Sequence, residues 1–322
     1  MHSTALACMR KIAAFPLSRI VIAFVPIAAA AVFAGPGVEA FVRARLAAGA
    51  TAAAFAAAAA TMLLADLWYR LFVRWIEKRS AVEIGLRAAG GELCAGAVLG
   101  ASLFAVTVGF LALAGCYRVA GAGGWIAPAA ALPAAAASGY VEELAMRGAL
   151  FRIAEEWLGS WPALAASAAL FGLAHLGNPH ATWSSTLAIM LEAGVLLAAA
   201  FMLTRRLWFA VGIHFAWNFV QGAVFGLPVS GHAVRGLLQG ELSGPAALCG
   251  GEFGAEASPI AVAVCLAAAL SLLRRAHRKG HVVPALPRRR GLPGRQDPSP
   301  PPEPDSQDFS PHRGEKRGTN EA

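Results

Sequence analysis

Tyr140-Val141-Glu142-Glu143-Leu144-Ala145-Met146-Arg147-Gly148 is the stretch whose reading decides the fold. It sets two carboxylates and a guanidinium inside an apolar run from Trp125 to Leu158. Charge in the middle of a membrane-spanning segment costs several kcal/mol, so such residues usually face a cavity and mark function. On a helix, Glu143 and Arg147 are one turn apart and can pair. Glu142 is rotated about 100° from Glu143 and has no charge partner in the segment. One carboxylate is neutralised and one is left for chemistry. Taken alone, the same residues also fit a structural buried ion pair.

The composition supports a membrane setting. Of 322 residues, 57% are hydrophobic and only 14% charged, against about 25% charged in a soluble domain. The net charge of +8 does not indicate nucleic acid. The basic residues flank apolar blocks, as expected of loops facing a cytoplasmic leaflet. Cys8, Cys94, Cys116, Cys249 and Cys265 are scattered without a CxxC, so neither a disulfide framework nor a thiolate zinc site is indicated.

A hydrocarbon core needs about 20 apolar residues of helix. That ruler predicts spans at Ile20–Ala34, Leu46–Phe72, Leu93–Tyr117, Ile126–Leu158, Trp161–Leu176, Trp183–Thr204, Trp208–Phe225 and Ser258–Leu273. The first is expected to end at Gly35-Pro36-Gly37. Arg10, Lys11 and Arg19 before it resemble a signal peptide without a convincing cleavage site, so it reads as a retained span. With both termini cytoplasmic, one side receives most of the Lys and Arg. The other receives only Arg43, Arg45, Arg118 and Arg235. The expected fold class is therefore all-α, a polytopic membrane protein of about eight transmembrane helices with a polar intramembrane cavity. The Gly-rich loop Leu227–Ala257 is read as an ordered outer cap or a re-entrant piece. No Walker loop, dinucleotide fingerprint, HExxH or internal repeat is present.

Three more sets of polar residues lie in apolar stretches. Phe171 and His175 share a helix face, and so do His214 and Asn218. Glu192 sits alone in the sixth span. A single buried histidine is ordinarily a neutral ring bonded to a backbone carbonyl. Glu142, Glu143, Arg147, His175, His214 and Asn218 together are more cheaply satisfied in one polar cavity than in six separate places. A ruler of 1.5 Å per residue puts Glu142 and His175 both about 25 Å from the turn at Gly159. It puts His214 only about 10 Å beyond Leu207, a mismatch that tilted helices or a deeper start to the seventh span would absorb.

Glu142-Glu143-x-x-x-Arg147, Phe171-x-x-x-His175 and His214-x-x-x-Asn218, in this order on successive apolar segments, resemble the CAAX protease and bacteriocin-processing (CPBP) family of intramembrane proteases. The resemblance spans about Glu77 to Leu273 and divides the chain into three parts. Residues 1–76 would hold the first two helices, 77–274 the protease core, and 275–322 a disordered, basic, Pro-rich cytoplasmic tail.

The resemblance implies an intramembrane endopeptidase acting on a membrane-associated or prenylated (CAAX-type) protein or peptide precursor. It implies location in a bacterial inner membrane, with the bilayer as partner. Glu142 would be the general base, helped by His175, while His214 and Asn218 hold the scissile carbonyl. Glu143 and Arg147 would fix the helix. No cofactor is favoured. In a metallo version Glu142, His175 and His214 would bind Zn²⁺. The alternatives are a non-catalytic immunity or scaffold protein of the same family, and a proton-coupled transporter using Glu142, Glu192 and the histidines.

Overall fold

The apolar blocks fold as helices in the computed structural model, which describes residues 15–46 and 49–285. Eight long helices occur among them. They are α1 (Pro16–Leu46), α2 (Ala50–Glu77), α3 (Ala89–Leu113), α4 (126–158), α5 (Ser160–Ala174), α6 (Trp183–Thr204), α7 (208–224) and α8 (Pro259–Arg278). The protein is an all-α, multi-pass membrane protein. Five helices (α1, α2, α3, α6 and α8) are long and apolar enough to cross a bilayer. The three that fall outside that test, with the turn that closes α5, carry the Glu142 motif, His175, His214 and Asn218. α4 holds Pro133 and the charged motif, and α5 has only 15 residues.

The first boundary differs from expectation. Gly35-Pro36-Gly37 does not end α1, which runs 31 residues to Leu46. A proline inside a helix clashes with the carbonyl four residues back. Here Ala30–Ala34 is π-helical, and the widened turn lies just where Pro36 needs room. The third span is also shorter than expected. α3 stops at Leu113, and Tyr117–Ala122 forms a strand, β1. β1 pairs antiparallel with β2 (Leu238–Leu242), placing Arg118 opposite Glu241. The loop from 226 to 257 is thus an ordered cap held by a small sheet.

Charged side chains weld one end of the bundle. Arg19 of α1 and Arg152 of α4 both bind Glu77 of α2, the latter at 2.8 Å. Arg205, just past the end of α6, binds Glu155 of α4, and Arg206 binds Glu92 of α3 at 2.8 Å. α1 and α2 therefore belong to the same compact unit as the remaining helices. The first residues of the tail expected from residue 275 are part of the fold, because α8 continues to Arg278. His281 Nδ1 then donates to the Leu203 carbonyl at 3.0 Å, and the Val283 N–H donates to Ser160 Oγ at 2.8 Å. The rest of that tail, 286–322, lies outside the described residues, as does 1–14.

α7 is positioned by backbone contact. A Cβ on Gly96 would lie 2.2 Å from the Phe209 carbonyl oxygen, and one on Gly100 would lie 2.3 Å from that of Ile213. From the other side, a Cβ on Gly212 would lie 2.2 Å from the Leu93 oxygen. Small residues four apart let α3 and α7 touch main chain to main chain. That contact fixes the depth of His214 and Asn218.

Candidate active site

Glu143 and Arg147 form the buried pair expected from their spacing, with Nη1 to Oε1 at 2.8 Å and both side chains 0% exposed. Arg147 also donates from Nη2 to the Gly194 carbonyl of α6 at 3.1 Å. Residues 144–151 of α4 and Met190–Gly194 of α6 are both π-helical. Widened turns release carbonyls from the regular ladder, which suits a guanidinium seeking acceptors. The Arg147 guanidinium lies over the Phe171 ring, 4.6 Å from its centroid. Even so, Arg147 Nε and Glu143 Oε2 have no hydrogen-bond partner among the described residues.

His214 links this pair to the unpaired carboxylate. Its Nδ1 is 3.0 Å from Glu143 Oε1, and its Nε2 is 3.9 Å from Glu142 Oε2. Glu142 keeps 37% of its side chain exposed, and among the described residues no guanidinium or ammonium pairs with it. His175 closes α5 in a 3-10 turn, where its Nδ1 is 2.8 Å from the Phe171 carbonyl oxygen. A carbonyl only accepts, so Nδ1 carries a proton and Nε2 is the ring nitrogen left for another partner. Asn218 donates from Nδ2 to Ser138 Oγ at 3.1 Å.

Glu142, His175, His214 and Asn218 line one cavity of about 560 Å³. α1 supplies one wall through Phe24, Ile27 and Ala31, and the cap loop another through Val229 and His232. The size suits a ligand pocket, and an apolar lining with a few converging polar groups is the usual character of one. The depth mismatch resolves through the start of α7. The Leu207 N–H donates to Glu83 O at 2.9 Å, and the Leu207 side chain comes within 3.4 Å of where a Cβ on Gly148 would stand. Leu207 is thus level with Gly148 rather than with Gly159. From there Glu142 is six residues along α4 and His214 seven along α7.

One contributor was not singled out from the sequence. Ser138 lies one turn before Glu142, so the same i, i+4 rule places it on the face that meets Asn218. Phe171 is the packing hub. Its ring is 4.8 Å from that of His175 and 5.9 Å from that of His214, besides its contact with Arg147. Among the described residues no group of three His, Cys, Asp or Glu side chains stands close enough to hold one ion.

Residues 124–220 match a family model described as type II CAAX prenyl endopeptidase Rce1-like. The match supports assignment to the CAAX protease family. No curated protein and no solved structure matches the chain. The matched segment begins just before α4 and ends in α7, so it contains the Glu142 motif, His175, His214 and Asn218. The matched family indicates a membrane endopeptidase of the CAAX type, a class that acts on a peptide or protein substrate in a membrane.

Proposed function

We propose that the chain hydrolyses peptide bonds of membrane-associated or lipid-modified proteins or precursors by a glutamate-activated water, without metal. The observation that carries this reading is the position of Glu142 on the wall of the large cavity, beside two imidazoles and an amide and free of any guanidinium. Glu142 takes a proton from water as the water attacks the scissile carbonyl carbon. His175 Nε2 orients that water through its lone pair. The developing oxyanion is met by the second N–H of Asn218 and by Nε2–H of His214 in its doubly protonated form. Glu142 then returns the proton to the leaving nitrogen. Glu143 fixes the His214 ring through Nδ1, and Arg147 holds Glu143.

The basic end of the bundle is the cytoplasmic one in this reading, with both termini there and the host membrane a bacterial inner membrane. The apolar groove between α1 and α4 takes the hydrophobic part of the substrate. The test compares membrane peptidomes of cells carrying the wild-type chain and Glu142→Gln. Uncut precursors that accumulate only with Glu142→Gln support the reading. Identical peptidomes from equally abundant proteins overturn it.

A further inference from the structure

Behind the wall made by Phe171, His175, His214 and Asn218 lies a second cavity, of about 20 Å³. That is room for about one water molecule. Two carboxylates that the reaction does not use stand on its far side. Glu192 comes from the π-turn of α6, and Glu256 from the loop just before α8. They are 3% and 1% exposed. Among the described residues, neither pairs with an arginine, lysine or histidine. Trp217 lines the same cavity, and its buried indole N–H has no hydrogen-bond partner among the described residues.

Glu256 is tied to the cap. Its Oε1 accepts the backbone N–H of Ser230, and Ser230 lines both the small cavity and the large groove. We propose that Glu192 and Glu256 form a positioning pair on the small cavity, with protonated Glu256 holding the cap loop 226–257 against the groove. Two uncompensated carboxylates in one buried space cannot both ionise. The indole N–H is a ready donor to the oxygens that remain.

The other groups around the pair leave its charge uncompensated. Cys265 of α8 stands beside Glu192, and Gln221 and Trp217 of α7 stand beside Glu256. The titratable groups across the cavity are His175 and His214. Burial pushes Glu256 up to about 7. A carboxyl raised in this way contributes stability while it stays protonated, and that contribution is lost as pH rises through about 7.

The experiment is amide hydrogen exchange on the full chain in detergent, with each rate divided by the intrinsic rate at that pH. In the wild type, protection of the cap around Ser230 and Gly231 should fall about tenfold between pH 6 and pH 8. In Glu256→Gln, which cannot ionise and keeps its shape, protection should stay level. Constant wild-type protection across that range overturns the proposal without recourse to any variant. A fall in Glu256→Gln equal to that of the wild type overturns it too. The readout is loop opening rather than hydrolysis, so it stands or fails apart from the proposed proteolysis.

Discussion

α4 carries two charged clusters, one at its end and one in its middle, and they are built to opposite standards. At the end, Glu77, Glu83 and Glu156 meet Arg19, Arg79 and Arg152, three acids to three bases. Tyr69 adds a hydroxyl that bridges Glu83 and the Gly148 carbonyl. In the middle, two carboxylates stand near one guanidinium, and Arg147 pairs with Glu143 but not with Glu142. Arg147 Nε and Glu143 Oε2 are left without hydrogen-bond partners among the described residues. The first cluster ties helix ends together with its charges spent on one another. The second keeps one carboxylate unspent beside a cavity. What separates an anchor from a candidate reactive site here is how completely the charges are satisfied, since both draw on the same residue types.

The largest effect expected from disturbing this contrast is at Arg147. Arg147→Ala leaves Glu143 buried without its partner, and loss of one member of a buried pair costs about 3–5 kcal/mol. Unfolding in detergent, followed by circular dichroism, should show that loss together with loss of activity. A normally stable but inactive Arg147→Ala would move Arg147 into the chemistry itself. Next comes Asn218→Ala, which removes one donor aimed at the oxyanion. It should lower kcat about 10²–10³-fold with stability nearly unchanged, and steady-state kinetics on a cleaved peptide would measure it.

The smallest effect belongs to the saturated cluster. Burial works against the charge on Glu83, but hydrogen bonds from Arg79 and Tyr69 outweigh it and hold the carboxylate below its usual range. A depressed carboxylate contributes stability that is present above the unfolded-state value, about 4, and lost as pH falls through the lower folded one. Glu83→Gln should therefore cost about 1–3 kcal/mol at neutral pH. It should also flatten the acid limb of the melting-temperature profile. Thermal unfolding across pH 3 to 7 would sharpen the comparison, since the site variants should leave that limb in place.

Much of this was legible in the sequence. The apolar blocks fall on the eight helices because length and hydropathy dominate in a bilayer. Glu143 and Arg147 pair because i, i+4 spacing is a local property of a helix. Helix ends were harder to read. Pro36 looked like a stop, and only the π-turn at Ala30–Ala34 shows how the helix passes it. The depth of His214 was out of reach for a simple ruler, since it depends on the glycine contact between α3 and α7 and on Leu207 docking beside Glu83. The link from Glu256 to Ser230 spans a loop without periodicity, so no pattern announced it.

The most direct test of the central claim is hydrolysis by purified Glu142→Gln in lipid vesicles, measured beside its melting temperature. An unspent carboxylate acting as base predicts a rate lower by about 10²–10⁴-fold in a protein that melts with the wild type. A folded Glu142→Gln that still cleaves at the wild-type rate would contradict it.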